Sequence, residues 1–300
     1  MVSEESPQLA AHIAQALRDA GLSCGMVNLV PTKPAVLRRE RTVIGLALLL
    51  LTVLAWSYLL WLSAEMDMGS MDMSSFRINP SGTRLMMPAH TPWQAMEFAS
   101  VFTMWTVMMV GMMTPSAAPM VLMYARVGRL TDTQSTPLTP TIWFVVGYFL
   151  AWAGFSLLAT LVQWKLERTA LLDSAMATTS NVLAALVFVA AGSYEWTHLK
   201  GVCLAQCQMP FEFLMRQGGF RRDAPGCVML GLRLGVYCVG CCWALMALLF
   251  VGGVMNVPWI VLLASLVLLE KVTSFGRLIA PVAGTVLIAA GVWLLSMGIY

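Results

Sequence analysis

The segment Gly235-Val-Tyr-Cys238-Val-Gly-Cys241-Cys242-Trp-Ala-Leu-Met246-Ala-Leu-Leu-Phe-Val-Gly-Gly-Val-Met255-Asn256 sets three cysteines in the middle of a stretch otherwise apolar enough to span a bilayer. On a helix Cys238, Cys241 and Cys242 stand at i, i+3 and i+4, so their thiols share one face, and Met246 continues that face one turn on. Four soft sulfur atoms then line up near the bilayer midplane. Gly231 and Gly235 precede them on much the same face as a small-xxx-small pair, a pattern that lets a second helix approach closely. The sulfur face is therefore expected to look at protein and not at lipid.

Working outward, composition gives the class. Hydrophobic residues make up 59% of the 300 and charged residues only 11%, against roughly 25% charge in an ordinary soluble domain. The expectation is an all-α, polytopic transmembrane helix bundle. The first apolar run begins at Thr42 and, at about twenty residues, suits a retained span better than a signal-peptide core. Seven cysteines without a secretory signal do not make a disulfide framework.

Seven apolar segments, at approximately 42–62, 97–125, 141–163, 180–199, 227–251, 257–271 and 282–299, are each near the length of a span. With the N-terminus inside, fourteen of the 18 Lys and Arg residues fall on the cytoplasmic side, and only Arg77, Arg84, Lys165 and Arg168 lie outside. That bias fixes the expected orientation. Residues 1–40 read as a cytoplasmic tail in which Leu9, Ile13, Leu17 and Ala20 form one helical stripe, and residues 41–300 as the membrane domain. Its Cys24 and His12 show no recognisable spacing.

Several stretches carry metal-ligating residue types. The outer loop, 63–96, contains Met66-Asp67-Met68-Gly-Ser-Met71-Asp72-Met73, a short unit written twice. Thioethers in this pattern suit capture of Cu(I) or Ag(I) and cannot be lost to disulfides; a flexible polar linker with incidental methionines explains the same residues. The second span holds Met104, Met108, Met109, Met112, Met113, Met120 and Met123. Pro115 and Pro119 interrupt it, and a kink or unwinding is expected near Gly111 to Pro115. Such broken helices often line binding sites, although methionine is also an adaptable core filler.

In the fourth span Glu195 and His198 share a helical face near the cytoplasmic end, and buried ionisable groups default to function; pairing of Glu195 with Lys200 is the structural alternative. Cys203 and Cys207 form a second i, i+4 thiol pair in the cytoplasmic segment 200–226 if helix continues towards Pro210. Glu270-Lys271 reads as a local pair with a snorkelling lysine at the end of the sixth span. No Gly-rich phosphate loop, Walker-type lysine, paired acid and base or basic aromatic surface occurs, so enzymes of those classes and partners such as nucleotides or nucleic acids are not expected.

Three blocks together resemble a bacterial family of predicted metal-binding integral membrane proteins, some of whose members carry the label copper chaperone. They are Met104-Trp-Thr-Val-Met-Met-Val-Gly-Met-Met-Thr-Pro-Ser-Ala-Ala-Pro-Met120, Ala191-Gly-Ser-Tyr-Glu through Cys203-Leu-Ala-Gln-Cys207, and Cys238-Val-Gly-Cys-Cys-Trp-Ala-Leu-Met246 through Glu270-Lys271. The resemblance implies a membrane fold and metal binding, and the expected location is the bacterial inner membrane, with several passes. The residues agree: cysteine and methionine sulfur select Cu(I), while three histidines are too few and too scattered for an imidazole site. The expected role is to take Cu(I) and pass it to, or receive it from, a partner protein. A shared site is expected between spans two and five, with Cys238, Cys241 or Cys242 joined by Met108, Met109, Met112 or Met113. A transmembrane thiol–disulfide relay and a scaffold for metalloenzyme assembly are the alternatives.

Overall fold

The computed structural model describes residues 34–68, 76–78, 86–88, 95–131, 138–169, 178, 180–273 and 275–297. The stripe at 9–20, His12, Cys24, Met71 and Met73 lie outside them, and for Met66 and Met68 only the helical backbone is described. The chain divides into two compact units, Met1–Arg39 and Glu40–Tyr300, and the architecture below is that of the second.

The fold is an all-α polytopic bundle. Its helices are α1 (Pro34–Met68), α2 (Ala95–Thr131), α3 (Leu138–Arg168), α4 (Asn181–Glu195), α5 (His198–Gln208), α6 (Pro210–Arg216), α7 (Ala224–Ala247), α8 (Leu249–Gly252), α9 (Val257–Val272) and α10 (Gly276–Met297). Where the sequence reads as a loop between α1 and α2, Phe76–Ile78 pairs antiparallel with Met86–Pro88. The helices turn the usual surface pattern outward. Leu46, Leu49, Leu50 and Leu54 on α1, Leu157 and Leu158 on α3, and Val286 and Trp293 on α10 are exposed, while Glu195, Lys200, Glu270 and Lys271 are buried. A helix in hydrocarbon satisfies its own amides and needs no polar outer face.

Local chemistry sets the ends. Asp223 caps α7 by accepting from the Gly226 amide at 2.7 Å, with Pro225 in the first turn. Gly253, at φ 90°, stops α8 in a backbone conformation that favours glycine, and Asn256 then caps α9 by accepting from the Trp259 amide at 3.2 Å.

Three expectations are corrected here. Where seven spans are expected, five stretches among the described residues are long and apolar enough to cross a membrane by length and composition: Arg41–Ala64, Ala95–Arg129, Leu138–Arg168, Ala224–Gly252 and Gly276–Met297. The fourth expected span is broken at Trp196–Thr197, where α4 and α5 meet at 63°, and the pair counts as a sixth span only if taken together. Thr197 makes the break by capping a new helix, accepting from the Lys200 amide at 3.3 Å while its hydroxyl donates to Tyr194 O at 2.7 Å. The expected sixth span, α9, has only 16 residues. Its last turn buries Glu270 and Lys271 while Val272 is exposed.

By contrast α2 runs unbroken through Pro115 and Pro119. Each proline removes one intrahelical bond, those that would reach Gly111 O and Pro115 O. Two lost bonds do not open a helix of 37 residues that packs tightly against its neighbours. At Gly111 a side chain would already touch Ala55 on α1, at 3.2 Å. Nearby, the hydroxyls of Thr114 and Ser116 donate to Val110 O and Met113 O at 2.6 and 2.9 Å.

Two glycine-lined crossings hold the bundle. On one, a Cβ at Gly147 or Gly231 would run into the α7 or α3 backbone at Val228 O and Phe144 O, and one at Gly235 would lie 2.8 Å from Tyr148 O. On the other, a Cβ at Gly192 would lie 2.6 Å from Gly284 O, and one at Gly291 would lie 2.9 Å from Ala185 O. The pairs α3/α7 and α4/α10 thus pack backbone to backbone, as small residues permit where no hydrophobic force separates protein from lipid. The expectation that Gly231 and Gly235 look at protein holds in the structure.

Candidate metal centre

The α3/α7 crossing fixes where the cysteines point. Cys238 is the middle residue of the apolar stretch Ala224–Gly252, and Met112 is the middle residue of Ala95–Arg129. The two elements therefore bring sulfur to a similar level. Tyr148, whose backbone lies in the glycine contact on α3, places its hydroxyl 2.9 Å from Cys238 Sγ.

The short helix α9 enters the same place. Lys271 Nζ lies 2.9 Å from Cys238 Sγ, 3.6 Å from Met113 Sδ and 3.8 Å from Cys242 Sγ. Two thiols and one thioether, from α7 and α2, thus form a cup around one ammonium. All four residues are buried, Lys271 at 6% exposure. The thiols of Cys241 and Cys242 both donate to Cys238 O at 3.0 Å, the back-bonding open to a side chain three or four residues on in a helix.

α5 folds against α7 and adds more sulfur. Cys207 faces Cys238 and Cys241, and Cys203 Sγ sits 2.9 Å from where a side chain on Gly240 would begin. The pair Cys203 and Cys207 is half-buried against α7, where the sequence places it in a cytoplasmic loop. Most of 200–226 is helix, the segment being occupied by α5, α6 and the start of α7.

A second buried cluster lies beside the first. Lys200 on α5 pairs with Glu195 on α4 and, at 2.8 Å, with Glu270 Oε2 on α9. Gln208 Nε2 donates to Glu270 O at 2.7 Å, tying the end of α5 to the end of α9. Glu195 Oε1 and Glu270 Oε1 are buried without a hydrogen-bond partner. Two sequence readings change. Glu270 and Lys271 are not a local pair, because neighbours on a helix point about 100° apart, and Lys271 does not snorkel to the surface.

The remaining expected residues divide plainly. Met108, Met109, Met112 and Met246 are buried in the same core as the cup. Pro115 lies one turn from Met112 within α2. His198 is exposed beyond the break, and it no longer shares a face with Glu195 because α4 ends between them. Among the described residues no three His, Cys, Asp or Glu side chains are grouped so as to hold a metal. The sulfur cup falls outside that description because one of its three members is a methionine.

Sequence reasoning missed Tyr148 and misread Lys271. A tyrosine in a span gives no signal of its own. The lysine did give one, since it follows an apolar run too short to cross.

The family described as PpoB2, copper chaperone, has a model that matches residues 102–294. That range includes Met113, Tyr148, Glu195, every described cysteine and Lys271. No curated protein and no solved structure matches the chain.

Proposed function

The chain belongs to the PpoB2 copper chaperone family, and from that premise we propose that it handles Cu(I) within a membrane, taking the ion as cargo on buried sulfur and passing it to, or receiving it from, a partner protein. The observation that carries the reading is the convergence of Cys238 and Cys242 on α7 with Met113 on α2 about a single point. Cu(I) is content with two or three soft ligands, and a thioether counts among them. Cys207 and Cys241 stand next to the cup as further sulfur positions along which an ion could be handed. Burial favours a bound cation, since a thiolate alone in the interior is costly.

The outer-loop methionines Met66, Met68, Met71 and Met73 are proposed as a capture site on the side opposite the N-terminus. The cluster Arg38, Arg39 and Arg41 before the first span and the pair Arg126 and Arg129 after the second support a cytoplasmic N-terminus, and the membrane is proposed to be the bacterial inner one. A reporter fused after residue 70 is expected to read as outside, and one after residue 130 as inside.

The thiol relay is the weaker reading on geometry. α7 stays helical through residues 238–242, where side chains at i, i+3 and i, i+4 have Cβ atoms about 5–6 Å apart, against roughly 3.5–4.5 Å in a disulfide. Among the described residues, bridges between helices are left to Cys207 with Cys238 or Cys241 and to Cys203 with Cys241.

The test is to load the purified full chain with Cu(I), count metal, and read its neighbours by X-ray absorption. About one Cu(I) per chain with two or three sulfur neighbours is expected. Replacing Cys238, Cys241 and Cys242 together by serine should abolish tight binding. Full-strength binding in that variant would sink the buried site and leave the outer loop as the candidate.

A further inference from the structure

Softness alone does not explain why a sulfur site should take Cu(I). Thiolates also hold Zn(II) and Cd(II) firmly, so a site of two cysteines and a methionine needs something more to tell a univalent soft ion from a divalent one. The buried cation in the cup supplies it. We propose that Lys271 is the charge-selectivity residue of the sulfur site, admitting soft univalent ions and disfavouring soft divalent ones. The inference rests on the Cu(I) reading above and names what decides between ions at that site.

The argument is one of position. Lys271 Nζ is 2.9, 3.6 and 3.8 Å from Cys238 Sγ, Met113 Sδ and Cys242 Sγ. Any ion held by those sulfurs lies within a few ångströms of the ammonium. Cys241 and the hydroxyl of Tyr148 also face Nζ, and neither supplies a carboxylate. The nearest acid in sequence, Glu270, is turned to Lys200. The charge has little freedom to leave, because Lys271 is buried and an ammonium moved away from its partners would lie unpaired in the interior.

An entering Cu(I) therefore meets one unit of repulsion, and an entering Cd(II) or Zn(II) meets two. The cost of freeing the thiols from their protons is shared by all these ions and drops out of the ratio of their affinities. What remains in the ratio is the lysine's charge. Coulomb interaction at such distances in a protein interior, after relaxation, makes the extra penalty on the second charge worth roughly 10- to 100-fold in affinity.

The experiment measures Ag(I) and Cd(II) on the purified full chain by competitive equilibrium dialysis, Ag(I) standing for Cu(I) without its redox chemistry. Wild type is expected to prefer Ag(I). Lys271→Leu should lower the Ag(I)-to-Cd(II) preference by roughly 10- to 100-fold while still binding Ag(I), and Lys271→Arg, which keeps the charge, should retain it. An unchanged preference in Lys271→Leu, or equal loss of both ions, overturns the proposal. If Lys271→Leu does not give a monodisperse chain, Lys271→Gln decides by the same ratio, and failure of both neutral variants to fold also overturns it, since the lysine would then be structural. Wild type that binds neither ion refutes the copper reading itself. Wild type that binds Ag(I) and Cd(II) equally refutes only the selectivity.

Discussion

Glu270 and Lys271 are neighbours on α9, yet they enter two buried clusters of different kinds. Glu270 joins Lys200 and Glu195, where an ammonium lies between two carboxylates. Lys271 joins Cys238, Cys242 and Met113, where an ammonium lies among sulfurs. In the first cluster strong, hard partners meet, and the charges lock α4, α5 and α9 to one another. In the second the partners of the ammonium are soft and neutral or weakly held, and a soft cation competes for them on better terms. The first arrangement is a joint, and the second is a seat that can be filled.

The largest expected effect tests the joint. Lys200→Met would leave Glu195 and Glu270 buried and facing each other with no cation between them, and loss of one partner from such a group costs about 3–5 kcal/mol. Denaturant unfolding of the detergent-solubilised chain should show it. The same measurement on Lys271→Leu should give a clearly smaller loss, because a thiol left behind can be neutral whereas two carboxylates cannot both be comfortable. Equal losses would erase the distinction between joint and seat.

A second variant asks whether the seat depends on the helix crossing. Gly235→Leu changes no ligand, but a Cβ there would already lie 2.6 Å from that of Ala151. Overpacking of this kind costs about 1–3 kcal/mol. The added bulk should push α3 from α7, move Tyr148 off Cys238, and lower Cu(I) content in metal counting. Retained stability and full metal content would show that α3 can shift without disturbing the sulfur.

The contrast between the two clusters also shows what could be read from residues alone. The apolar runs, the glycine face and the common level of Met112 and Cys238 follow from composition and spacing, and they reappear in the helices. The Glu195–Lys200 pair was legible as an alternative, being local in sequence. Its third member was not, because Glu270 is 70 residues from Lys200 and only packing brings them together. Pro115 signals a weak point without saying whether the helix will open there, and α2 stays helical through it. Lys271 misled because charge at the end of an apolar run suggests the membrane surface, and only packing against α7 and α2 buries this one.

The smallest expected effect concerns the thioether, and it separates Cu(I) binding from simple packing. Met113 Sδ is 3.6 Å from Lys271 Nζ, so it belongs to the cup, while Met104 and Met120, about two turns away on α2 in either direction, are buried in the surrounding core. Leucine nearly conserves methionine's apolar volume, and such exchanges cost less than about 1.5 kcal/mol. Met112→Leu with Met113→Leu should therefore leave unfolding nearly unchanged and weaken Cu(I) by about tenfold, the loss of one soft ligand from a sphere of two or three. Met104→Leu with Met120→Leu is the matched control and should alter neither. Competition with a Cu(I) chelator reads both pairs on one scale. A disulfide relay through Cys207 and Cys238 predicts otherwise: both methionine pairs would be silent, and thiol trapping would find that bridge in the resting chain. Equal weakening by the two pairs would mean that methionine acts here through packing, and the metal would then rest on the cysteines alone.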